Sequence, residues 1–125
     1  MAEQNLALLF VWYNERHFVF NTNEFSFWNN VEYHSQRYKC IVLYCVETDQ
    51  SLKLPVCENV ILINYKKAYA HYYANCTENI VRRAGKIDYI KVTAMLNPHL
   101  LGVAHDYLLL MDMDCVVQTV RWKLF

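Results

Sequence analysis

The sequence predicts an α/β protein: a Rossmann-like three-layer sandwich on a mostly parallel sheet, and an incomplete one. Three observations carry this. Apolar runs of strand length recur at residues 6–13, 39–46, 59–64 and 107–111, and runs that are apolar throughout, rather than alternating, mark strands buried on both faces. Stretches with helical apolar spacing stand between most of these runs, and strands alternating with helices build parallel sheets with right-handed crossovers. Hydrophobic residues make up 55% of the 125 residues, enough for one core, so residues 1–125 read as a single domain.

The elements follow in order. Residues 6–13 form a first buried strand, ended by Asn14-Glu15-Arg16. Residues 21–38 read as a helix, with Asn21, Thr22 and Asn23 offering amino-terminal caps and Phe27, Val31 and His34 at helical spacing. His34 has no second histidine four residues away, so it reads as a core or rim residue rather than a ligand. Residues 39–46 form the second strand, and Glu47 to Ser51 a solvated polar loop. Val60-Ile61-Leu62-Ile63 centres a third strand. Residues 66–76 read as a helix, with Tyr65, Tyr69, Tyr72 and Tyr73 as a packing face. A second helical stretch opens at Thr77 and breaks at Gly85, because glycine costs about 1 kcal/mol inside a helix. Residues 87–96 form the helix ahead of the last strand, and Pro98 ends it.

Charge and cysteine content narrow the partners. Twelve basic residues balance twelve acidic ones, which recommends neither nucleic acid nor a membrane surface. No apolar run is long enough to span a bilayer, and no signal peptide is recognisable at residues 6–13. The five cysteines are odd in number and contain no Cys-X-X-Cys pair. They read as free thiols in a reducing compartment, hence a cytoplasmic protein.

The chemistry concentrates in the last strand. Residues 107–111 run straight into Asp112-Met113-Asp114, followed by Cys115-Val116-Val117. Acids at the mouth of a buried central strand are desolvated, and two on one face raise each other's pKa unless a cation lies between them. A divalent metal such as Mn²⁺ or Mg²⁺ meets that need, since hard cations take carboxylate oxygens and leave positions for phosphate. Open α/β sheets also bind ligands at the carboxyl ends of their strands.

This stretch resembles the Asp-X-Asp motif of nucleotide-sugar glycosyltransferases of the GT-A fold, and Tyr13-Asn14-Glu15 resembles the strand end that meets the nucleotide in some of them. The resemblance implies that Asp112 and Asp114 hold the metal on a nucleotide-diphosphate sugar, a UDP-sugar above all. Tyr13, Asn14, Lys91 and Asp112 would contact this donor, with Lys86 in reserve for Lys91. A hexose would then pass to an acceptor hydroxyl. Some of these enzymes place an acidic residue after the second strand against the uracil or ribose, which makes Glu47 and Asp49 candidates by position, although the family's Asp-Asp-Gly-Ser form is absent. Eleven residues follow Asp114, so the chain corresponds to the amino-terminal half-domain, and no catalytic residue is assigned. Residues 116–122 would add an edge strand, and an uncovered apolar edge favours self-association. Two other readings stand beside this one. Asp112-Met113-Asp114-Cys115-Val116 also fits the haloacid-dehalogenase phosphatase motif, with Asp112 as nucleophile and Asp114 as acid/base. A non-catalytic interaction protein with a degenerate fold would use neither acid.

Overall fold

The structure, a computed structural model, describes residues 5–15, 27–48 and 57–112. The apolar runs became four strands: β1 (Leu6–Asn14), β2 (Lys39–Val46), β3 (Val60–Asn64) and β4 (Tyr107–Met111). They form one sheet in the order β3-β2-β1-β4, parallel throughout. The register sets Phe10 beside Val42 on one side and Met111 on the other. The helices are α1 (Phe27–Ser35), α2 (Tyr65–Ala68), α3 (Ala70–Asn79) and α4 (Arg83–Leu96), with a 3₁₀ turn at Pro98–Leu101.

Side chains alternate across the central strands, so both faces need cover. Leu8, Phe10, Cys40 and Val42 pack with Trp28 and Val31 of α1. Leu9, Val11, Ile41 and Leu43 pack with Tyr65, Ile90, Ala94 and Leu101 on the opposite face. The fold is therefore α/β, with helices on both faces of a parallel sheet. Each fully buried leucine or isoleucine of β1 and β2 contributes about 1.5–3 kcal/mol by leaving water.

The last strand departs from expectation. Residues 107–111 were expected at the centre of the sheet, buried on both faces. Among the described residues β4 lies at the margin, hydrogen-bonded to β1 alone. Leu108 and Leu110 face the α4 side and are half-buried there. Tyr107 and Leu109 face the other way and stay 43% and 37% exposed. The reason is lateral: among the described residues α1 packs mainly on β2 and β3, and of that face of β4 only Met111 is buried in the cluster beneath it. The expected strand at residues 116–122 lies outside the described residues, as do the caps Asn21, Thr22 and Asn23.

Helix boundaries shifted too. The stretch from residue 66 breaks at Tyr69 (φ −121°, ψ 40°) and ends at Asn79. Gly85, expected to break a helix, lies in the first turn of α4. A methyl group there would sit 3.1 Å from Ile80 Cγ2, so glycine lets the preceding loop pack close. The aromatic stripe does pack, with the buried rings of Tyr65 and Tyr69 stacked at 5.1 Å. His34 is buried, with Nδ1 2.7 Å from the carbonyl oxygen of Asn30. Cys40, Cys45, Cys57 and Cys76 are free thiols. Burial pushes Cys40 and Cys45 up to about 12, which keeps them protonated and unreactive. No helix among the described residues is long and apolar enough to cross a membrane.

Candidate functional site at the carboxyl edge of the sheet

The strands deliver their last residues to one edge. β1 continues from Phe10, its last residue paired with β4, to Asn14. Glu47 follows β2 at once, and its amide donates to the carbonyl oxygen of Asn14 at 3.2 Å, extending the strand pairing by one bond. Asn64 ends β3 and caps α2, its Oδ1 accepting from the Lys66 amide at 3.0 Å. Helix α4 begins near the same edge and brings Arg83 and Lys86 onto it.

Two cations lie against one ring. Arg83 Cζ is 5.9 Å and Lys86 Nζ 5.8 Å from the centroid of Tyr13, within cation–π range. Arg83 Nη2 donates to the Tyr13 carbonyl oxygen at 3.1 Å, and its Nε lies 3.5 Å from Glu15 Oε1. Lys86 Nζ donates to Glu47 Oε1 at 2.8 Å and reaches the Tyr13 hydroxyl at 3.4 Å. Lys66 Nζ donates to the carbonyl oxygen of Glu47 at 3.2 Å. The Glu47 and Lys86 side chains are only 24% and 15% exposed, so this ion pair is shielded from solvent.

Electrostatics follow from that shielding. Burial works against the Glu47 charge, but hydrogen bonds from Lys86 and Tyr13 and the charges of Lys86 and Lys66 outweigh it, holding the carboxyl below its usual range. The hydrogen bond to Glu47 raises Lys86 against the opposing effect of burial. Burial first, and then Glu47, push the Tyr13 phenol far up. Tyr13 is therefore a neutral donor to Glu47 and not a base. It is also buried and presents little surface to a ligand.

A second pair lies at the end of β4. Lys91 Nζ is 2.9 Å from Asp112 Oδ1. Among the described residues the cation beside this acid is a lysine. The premise of desolvation does not hold for Asp112, whose side chain is 62% exposed, because a marginal strand end stays wet. Asp114 lies outside the described residues, so the geometry of the expected metal pair does too. Among the described residues no group of three or more His, Cys, Asp or Glu side chains could hold a metal ion.

The expected donor contacts thus divide. Tyr13 meets Lys86, the reserve lysine, and Asn14 meets Glu47 through the backbone, whereas Lys91 and Asp112 meet each other. Arg83 and Lys66 were missed, and Glu47, read as part of a solvated loop, is half-buried. One clue was available: positions 83 and 86 are three apart and so neighbours on the surface of a single helix. Placing the helix start after Gly85 hid it.

These features define a class: a parallel α/β protein whose charged side chains gather where the strands end. Its family is shown by comparison. The chain belongs to the family described as "Protein of unknown function (DUF2661)", whose profile matches residues 6–117. It is similar to the "Uncharacterized 10.5 kDa protein in HE65-PK2 intergenic region" of Autographa californica nuclear polyhedrosis virus, at 65% identity over 86 residues, covering 69% of this chain and 99% of the relative. It is also similar to the "Uncharacterized 20.3 kDa protein in HE65-PK2 intergenic region" of the same virus, at 82% identity over 34 residues, covering 27% of this chain and 20% of that one. No solved structure matches. This membership overturns the assignment to the GT-A glycosyltransferases. An apolar strand ending in Asp-X-Asp is a short pattern, and unrelated parallel sheets can meet it.

Proposed function

We propose that the chain binds a small phosphate-bearing ligand, a nucleoside diphosphate or its sugar such as a UDP-sugar, between the carboxyl ends of β1 and β4. One observation carries the reading: the strand order reverses at β1, with β2 and β3 on one side and β4 on the other. Doubly wound nucleotide-binding sheets begin in this order and take their ligand in the crevice at that reversal. In this reading Asp112 and Lys91 would line one side of the ligand and Asn14 the other.

A divalent metal, Mn²⁺ or Mg²⁺, fits this setting in part. Magnesium uses one or two protein carboxylates and completes its shell with water and phosphate. Asp112 supplies one carboxylate, exposed and bonded to Lys91 through Oδ1 alone among the contacts above; Asp114 is the second candidate. When bound, the metal would neutralise charge on a departing diphosphate. Lys91 holds Asp112 in place and offers its remaining donors to phosphate. Transfer of a hexose to an acceptor hydroxyl is the reaction such binding would serve. Four free thiols among the described residues support a reducing compartment such as the cytoplasm, and the marginal β4 supports self-association through that edge.

A non-catalytic interaction protein is the second reading, favoured by the Lys91–Asp112 pair, which satisfies Asp112 without a metal. Calorimetric titration of the chain with UDP and Mn²⁺ separates the two. Binding that chelator abolishes, and that Asp112→Asn weakens at least tenfold, is the expected result. No binding in either condition favours the interaction protein, and phosphate release through a phosphorylated Asp112 favours the dehalogenase-type phosphatase.

A further inference from the structure

We infer that Arg83 and Lys86 form a metal-independent phosphate site at the end of β1, where the Glu47 carboxylate is an internal counter-anion that an incoming phosphate displaces. The inference rests on the reading that this edge receives a phosphate-bearing ligand, but not on Asp112, Asp114 or a metal. Both cations come from the first turn of α4 and lie against the buried ring of Tyr13, which fixes their stems. Lys86 holds one carboxylate oxygen at 2.8 Å, and a phosphate oxygen is an anionic acceptor of the same reach. Arg83 is positioned by its Nη2 bond to the Tyr13 carbonyl oxygen at 3.1 Å, and its carboxylate partner is looser: the contact with Glu15 is 3.5 Å and both side chains are half exposed. Such a pair is weak in water, and the guanidinium fork suits two phosphate oxygens at once.

Exchange requires little rearrangement. The backbone of Glu47 is tied on both sides, its amide to Asn14 and its carbonyl oxygen to Lys66. Only the side chain has to turn outward, giving up its bonds from Lys86 and Tyr13 to the incoming phosphate. Lys86 is too shielded to be left without an anion, so the departure of Glu47 and the arrival of phosphate are linked. With twelve basic and twelve acidic residues in the chain, the site suits a small phosphate compound and not a nucleic-acid polymer.

The test is titration of the whole chain with inorganic pyrophosphate, in chelator at neutral pH, by calorimetry. The wild-type chain binds; Lys86→Met weakens binding about tenfold, the worth of a charged hydrogen bond, and Lys86→Arg restores it. Glu47→Gln tightens binding about two- to fivefold, because a competing anion is gone. Lys39→Met, which removes a charge bonded to Ala104, changes nothing. Thermal unfolding of each variant identifies any that fail to fold. Absence of wild-type binding, equal binding by a folded Lys86→Met, or weaker binding by a folded Glu47→Gln would overturn the inference. UDP binding that needs Mn²⁺ bears on the Asp112 reading alone, so the two fail separately.

Discussion

At the scale of single residues, Glu47 shows how one side chain makes stability depend on pH. Its carboxyl is held below the ordinary 4.5 in the folded chain. The unfolded chain therefore takes up the proton more readily. The stability that Glu47 contributes is fully present above 4.5 and is lost as pH falls through the lower, folded value. Lys86 works in the opposite sense, being raised above 10.5: its contribution is complete below that value and fades as pH climbs through the folded one. Denaturant unfolding of the wild type and Glu47→Gln across the acid range checks the first arm. The wild type is expected to be the more stable at neutral pH, with the gap closing below pH 4.5. A gap that widens on acidification contradicts the assignment. The Asp-X-Asp stretch drew the eye because two acids interrupt an apolar run. Glu47 stood out only by its place after the second strand, because its partners come from residues 13, 66 and 86, which only the fold unites.

At the scale of elements, the decisive device is the seam between α2, α3 and α4. The buried Tyr65 hydroxyl donates to Thr93 Oγ1 at 2.7 Å, and Thr93 donates in turn to carbonyl oxygens of its own helix. Tyr69 donates to the Asn97 carbonyl oxygen at 2.9 Å just past the end of α4. The helical break at Tyr69 lets both rings stack and still reach these partners. The two ends of the first bond are not equivalent. Thr93→Val strands a buried phenol and is expected to cost about 1–3 kcal/mol, whereas Tyr65→Phe leaves Thr93 bonded within α4 and costs about 0.5–1.5 kcal/mol. Urea unfolding orders the two; the reverse order contradicts the network. Beyond the same end of α4, Gly102 closes the 3₁₀ turn with φ 69° and nothing near its Cβ position. Gly102→Ala should cost about 1–2 kcal/mol of pure backbone strain. The element types here were legible from apolar spacing and from the tyrosine stripe. Their ends were not, because Gly85 is tolerated where Ile80 packs and Tyr69 breaks the helix through tertiary contacts, neither of which spacing encodes.

At the scale of the whole molecule, the question is where β4 sits. Apolar runs revealed all four strands, and continuity of the runs correctly marked β1 and β2 as doubly covered. Among the described residues the same criterion misplaced β4, since a run of leucines reads alike at the centre and at the margin; lateral order depends on which helix covers which strand. Leu8 and Leu109 make the contrast directly. They are paired in register and point to the same face, yet Leu8 is fully buried and Leu109 is 37% exposed. Leu8→Ala should therefore destabilise by about 2–5 kcal/mol through lost contacts and a cavity. Leu109→Lys, a harsher change by hydrophobicity alone, should stay within about 0.5 kcal/mol, since the lysine can extend into water. If Leu109→Lys instead costs as much as Leu8→Ala, that face of β4 is covered, the strand is central, and the crevice beside β1 would be roofed by structure that the strand order β3-β2-β1-β4 does not contain.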